Sequence, residues 1–100
     1  MSEHEEQWRP ARGYAGFYEV SCCGRVASLP RAATSGGLLA VQLNSRGYRV
    51  VSLSRYGRVV TATVASLVLE AFDSPAAGRL ARHGPGGKTD DSLPNLSWAP

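Results

Sequence analysis

Long apolar runs are absent from this chain. No stretch of its 100 residues approaches the ~20 consecutive apolar positions that a membrane-spanning helix needs. No secretory leader is legible, because Met1-Ser2-Glu3-His4-Glu5-Glu6 is acidic where a leader is basic and then apolar. The expectation is a soluble, cytoplasmic protein with no membrane partner. Cysteine is scarce, and its placement argues against a disulfide scaffold: Cys22 and Cys23 are neighbours in sequence, which rarely satisfies disulfide geometry. With no Cys-x-x-Cys pair and only two histidines, no zinc site is legible and no resident metal is expected. The two thiols are expected to be reduced and in a turn, with at least one of them packed.

Lysine and acid are the other shortages. Ten of the eleven basic residues are Arg, and three of the eight acids, Glu3, Glu5 and Glu6, lie in the first six positions. Residues 7–100 therefore carry eleven bases against five acids, a net +6. Arg suits bidentate contact with phosphate or guanine better than Lys does. A GC-rich genome would produce the same bias, and such a charge suits DNA, RNA or an acidic protein alike. The hydrophobic share, 43%, is near that of an ordinary globular chain. At this length one small domain with a thin core is expected.

The hydrophobic period divides the chain in three. Residues 1–7 read as a disordered acidic tail. Residues 8–63 read as β-rich: Trp8 opens the ordered part, and Arg9-Pro10 fixes an extended backbone. Residues 13–21 suit a strand after a Gly-bounded turn, and residues 25–29 a second strand that Pro30 ends. Residues 31–37 read as a loop and 38–43 as a strand, with Asn44-Ser45-Arg46-Gly47 as a turn. Residues 48–53 form the clearest strand, and 58–63 return as its hairpin partner. The period then changes. Val64, Leu67, Val68 and Ala71 share one face of a helix, with Thr63 as N-cap (Ser66 is the alternative) and Asp73-Ser74-Pro75 as terminator. Residues 64–100 thus hold a helix and a short strand over 80–83. The fold class is α+β: an antiparallel β-meander, one amphipathic helix and a C-terminal hairpin. Tyr48 and Tyr56 read as sheet-packing residues, and Asp90-Asp91 as turn formers rather than a metal pair.

The chemistry-bearing residues are at the C-terminal end. His83 closes a short apolar run, a Gly-rich turn follows, and Asn95-Leu96-Ser97-Trp98 comes after it. A histidine on a rigid strand can be held beside a phosphate. It takes a proton from water only when neutral and with the correct nitrogen free, so a second residue has to fix its tautomer. A lone histidine in such a place would otherwise be read as structural or exposed.

Several pieces occur in order: Trp8; Gly13-Tyr14-x-Gly16-Phe17-Tyr18-x-Val20-Ser21; Gly24-Arg25-Val26-x-Ser28-Leu29; Gly47-Tyr48-x-x-Val51-x-Leu53; Leu67 to Phe72; His83; and Asn95-Leu96-x-Trp98. This set resembles the HNH (ββα-metal) homing endonucleases of phages, joined to an N-terminal nuclease-associated modular DNA-binding motif. The resemblance implies an antiparallel β-region lying along duplex DNA, followed by a nuclease hairpin. It implies His83 as the base that activates water and Asn95 as the residue that orients the hairpin and that histidine. Three departures from the family pattern count against activity. Ala65 stands where a histidine is usual, and Arg82 stands where an acid commonly ligates the metal. The family's further ligand helix, two to three turns beyond Asn-Leu-x-Trp, is not expected in this chain. The hairpin is therefore read as truncated and degenerate. No cofactor is expected, or Mg²⁺ if the site is active, with Asp90 and Asp91 as weak candidate donors.

The leading expectation is a small duplex-DNA-binding protein of HNH descent with an incomplete metal site, gripping the backbone through Arg25, Arg46, Arg49, Arg55 and Arg58. The alternatives are an active Mg²⁺-dependent nicking endonuclease and a phage structural or protein-interaction module that reuses the fold. Leu80, Leu96 and Trp98 are expected to pack on the helix face of Leu67, Val68 and Ala71. His83, without a metal partner, is expected to face solvent.

Overall fold

The computed structural model describes residues 5–31 and 35–100. Residues 1–4 of the expected tail and 32–34 of the expected loop lie outside the described residues. The chain runs β1 (Trp8–Pro10), β2 (Tyr18–Ser21), β3 (Val26–Ser28), β4 (Gly37–Leu38), β5 (Gln42–Leu43), β6 (Arg49–Arg55), β7 (Arg58–Thr63), α1 (Val64–Phe72), β8 (Ala81–His83) and β9 (Leu96–Trp98). The fold is α+β, with antiparallel sheets and a single α-helix among the described residues, besides a 3₁₀ turn over Leu93–Asn95.

The meander is split in two. Strands β1 to β4 form one antiparallel sheet in chain order, and β5 to β7 form another. The stretch expected as one strand over 38–43 instead crosses from the first sheet to the second, giving its first residue to β4 and its last two to β5. Alternation carries no mark of such a crossing, because each half is still extended. The longest pairing is β6 with β7, in register from Val50 opposite Thr63 to Arg55 opposite Arg58. One face of that ribbon turns Val51 and Leu53 into the core. The other shows Ser52, Ser54, Val59 and Thr61 to solvent.

Helix α1 starts where the sequence places it. Thr63 has extended backbone, and its Oγ1 accepts from the Ser66 N–H at 3.3 Å. The helix buries Val64, Ala65, Leu67, Val68 and Leu69 against both sheets, in one core with Tyr18, Val20, Val26, Val51 and Leu53. Full burial of each such aliphatic side chain contributes about 1.5–3 kcal/mol. The third sheet, β8 with β9, packs on the same helix. Ala81 pairs with Trp98 and His83 with Leu96. Leu96 and Trp98 join the core, and the Trp98 Nε1–H donates to the Ser74 carbonyl at 3.0 Å. Leu80 does not join them. It is 77% exposed, because it precedes β8 and only its carbonyl is engaged, by the Ala99 N–H. Cys22 and Cys23 are both free thiols, Cys22 half-buried and Cys23 exposed.

Candidate nuclease hairpin and nucleic-acid surface

The hairpin strand β8 carries His83 inward on the same face as Ala81, while Arg82 points out between them. The connection over residues 84–95 is held by Asn95. Its Oδ1 accepts from the Gly86 N–H at 2.9 Å, and its Nδ2 donates to the Gly87 carbonyl at 3.3 Å and the Asp90 carbonyl at 2.9 Å. Asn95 therefore orients the hairpin. No hydrogen bond from it to His83 occurs among the described residues, which corrects the expectation that it also fixes the imidazole.

Asp91 does that instead. Its side chain is 1% exposed, and its two oxygens are divided between two donors. Oδ1 lies 2.7 Å from His83 Nε2, and Oδ2 accepts from Arg49 Nη1 at 3.0 Å. A carboxylate facing a guanidinium on one side accepts on the other, so in the neutral ring Nε2 carries the proton and Nδ1 is the free nitrogen. The ring also stacks on Tyr48, with centroids 5.5 Å apart and planes at 25°. Asp91 fits where it does because Gly24 has no side chain: a Cβ there would lie 3.0 Å from both the Asp91 Cβ and its carbonyl oxygen. Gly24 also needs its φ of +87°, which other residues reach only under strain.

His83 is thus not solvent-facing. Its side chain is 10% exposed. It lines a pocket of ≈290 Å³ with Asn44, Arg46, Tyr48, Thr63, Ala65, Ser66, Leu80 and Ala81. No fully buried side-chain nitrogen or oxygen lacks a partner among the described residues, so Nδ1, which has none, reaches solvent. The same arrangement leaves little for a divalent cation. Both Asp91 oxygens are committed, and Asp90 Oδ1 accepts from the Ser92 N–H and hydroxyl at 3.1 and 2.6 Å. Those bonds hold the Asp90 carboxyl below the usual carboxylate range. Arg82 adds a cation next to His83. No group of three His, Cys, Asp or Glu able to hold a metal occurs among the described residues. These donors do not fit a metal centre.

The five arginines expected on DNA fall into two sets. Arg25 is bound to Glu6, with its Nε donating at 2.9 Å to Oε2 and its Nη2 to Oε1, and it lies over the Trp8 ring. The acidic segment is thereby tied to the turn before β3 from Glu6 on. Arg49 is the half-buried partner of Asp91 and is not free for phosphate. Arg46, Arg55 and Arg58 are exposed and have no acid partner among the described residues. Arg46 lies in the turn before β6, Arg55 at the end of β6 and Arg58 at the start of β7. Lys88 joins the first position, donating to the Arg46 carbonyl at 2.9 Å and lying over the Tyr48 ring.

The family model described as the NUMOD4 motif matches residues 6–54. The DNA endonuclease I-HmuI of Bacillus phage SP01 is 32% identical over 93 residues, which cover 92% of this chain and 51% of that protein. A solved structure described as "DNA binding and cleavage by the HNH homing endonuclease I-HmuI" matches with a TM-score of 0.81 at 32% identity, over 93% of this chain and 52% of that one. Over nearly its whole length this chain is similar to an HNH homing endonuclease. It spans about half the length of the relative it matches. The structure differs from the sequence expectation mainly at Asp91, which is a buried partner of His83 and Arg49 rather than only a turn former. The available signal was its place in the turn, eight residues after His83. The stacking of Tyr48 on His83 had no signal in sequence, since alternation marks a face and not a neighbour.

Proposed function

We propose that this chain binds duplex DNA through its β5–β7 sheet, with Arg46, Arg55 and Arg58 on the backbone phosphates and the HNH hairpin beside them carrying an incomplete metal site. The observation that carries this reading is the division of the arginines. Where an acid is at hand the structure uses it, as at Arg25 and Arg49, yet the three at the two ends of β6 have none. Exposed guanidiniums without an acid partner are the groups that a polyanion neutralises, although Arg55 also donates to the Gly13 carbonyl and lies over the Tyr14 ring. The incomplete site follows from the committed Asp90 and Asp91 carboxylates and from Arg82 next to His83. No catalytic step through a metal is derived.

A second reading has one observation in its favour. The Nδ1 of His83 has no hydrogen-bond partner among the described residues, and His83 lines the pocket that Arg46 shares. A water between it and a bound phosphate could give up its proton to Nδ1, with Arg46 offsetting charge on the phosphate. Fluorescence anisotropy of a labelled duplex and of poly-glutamate, beside supercoiled plasmid with Mg²⁺ or Mn²⁺, separates the readings. The proposal expects duplex binding, weaker binding of poly-glutamate, and no nicking above background. Nicking that disappears in His83→Ala would establish the second reading. Preference for poly-glutamate would instead make the chain a protein-interaction module.

A further inference from the structure

The tip of the β6–β7 hairpin combines three features that the sheet does not need. Tyr56 and Gly57 form its two-residue turn, both with positive φ, +52° and +78°. Gly is at ease there, but a bulky side chain such as Tyr is strained, and Asn is the favoured residue at the first place. The Tyr56 ring gains little cover for that strain. It is 85% exposed, with only the edge of Phe17 and the Arg55 guanidinium against it. Arg55 and Arg58 flank it as direct cross-strand partners, a like-charge pair that repels. No acid pairs with either one among the described residues. Val59, 69% exposed, continues the apolar surface beside them.

An exposed aromatic ring between two unneutralised guanidiniums has the chemistry of a probe for a polyanion with apolar edges. We infer that Tyr56 is a DNA-contacting residue, seated in a groove of the duplex against sugar and base edges, while Arg55 and Arg58 hold phosphates on either side. This inference rests on the duplex-binding reading above and adds a second contact to it. The tip lies at the opposite end of β6 from Arg46, Tyr48 and His83. Seven strand residues span about 20 Å, or about six base pairs at about 3.4 Å each. The chain thus touches the duplex at two places, with the His83 pocket at one and Tyr56 at the other.

The test compares wild type, Tyr56→Phe and Tyr56→Asn on one 20-bp duplex by anisotropy, with a thermal melt of each protein. Tyr56→Asn relieves the turn, so its melting midpoint is expected to equal or exceed that of wild type. Its affinity is expected to fall by about tenfold, the scale of one lost aromatic contact to a base. Tyr56→Phe keeps the ring and is expected to bind within about twofold of wild type. Equal affinity of Tyr56→Asn and Tyr56→Phe would overturn the inference and leave duplex binding intact. Absence of duplex binding by wild type would overturn the underlying reading, and the inference with it.

Discussion

Asp91 is the residue on which the C-terminal site turns. It is a buried anion 42 positions from Arg49 and eight from His83, and it fixes both. Removing one partner of a buried pair is costly because it strands the other. Asp91→Ala is expected to lower unfolding stability in urea by about 3 kcal/mol. His83→Ala leaves the Arg49–Asp91 pair standing and is expected to cost about 2 kcal/mol, the worth of one hydrogen bond to a charged group. The reverse order of the two losses would mean that Asp91 is not the centre of the cluster. Glu6 behaves differently, because its pair lies at the surface. The Arg25 guanidinium, and to a lesser extent Ser21, holds its carboxyl down to about 2 from the usual 4.5. A lowered folded-state value stabilises the fold at neutral pH, and that contribution is lost as pH falls from about 4.5 toward 2. Glu6→Gln is expected to flatten the pH dependence of stability in that window. An unchanged acid limb would show that the pair contributes nothing in solution.

At the scale of elements, legibility followed locality. Helix α1 and its cap were readable because a 3.6-residue period and a Thr N-cap are properties of neighbouring residues, and the β6–β7 hairpin was readable from alternation. The division of the meander into two sheets was not, since it depends on where residues 39–41 cross. Leu80 was misplaced for a similar reason: its apolar character says nothing of which side of β8 it precedes. Of the site, His83 and Asn95 could be named from their order and spacing. The roles of Asp91 and Tyr48 depend on tertiary contacts that no local pattern carries. Trp98 ties the β8–β9 hairpin to the helix through its buried ring and its bond to Ser74. Trp98→Ala is expected to cost about 3–5 kcal/mol, a large share of the ~5–15 kcal/mol available to a small domain. Its thermal transition should broaden or vanish. An unchanged midpoint would mean that residues 80–100 are not integral to the fold.

Over the whole molecule, charge is sorted by use. Arg25 and Arg49 are spent on internal pairs, whereas Arg46, Arg55 and Arg58 frame the two ends of one strand. If the latter meet phosphates, binding is driven by release of counterions, and ionic strength reads that release directly. The decisive measurement is therefore the affinity for a duplex as a function of salt. With about three to five phosphates neutralised, log K against log[salt] should fall with a slope of roughly −3 to −5. Replacing Arg46 and Arg58 together by Ala should make the slope shallower by about 2, while Arg49→Ala should lower stability and leave the slope unchanged. A wild-type affinity that does not respond to salt, or a slope indifferent to Arg46 and Arg58, would contradict the account.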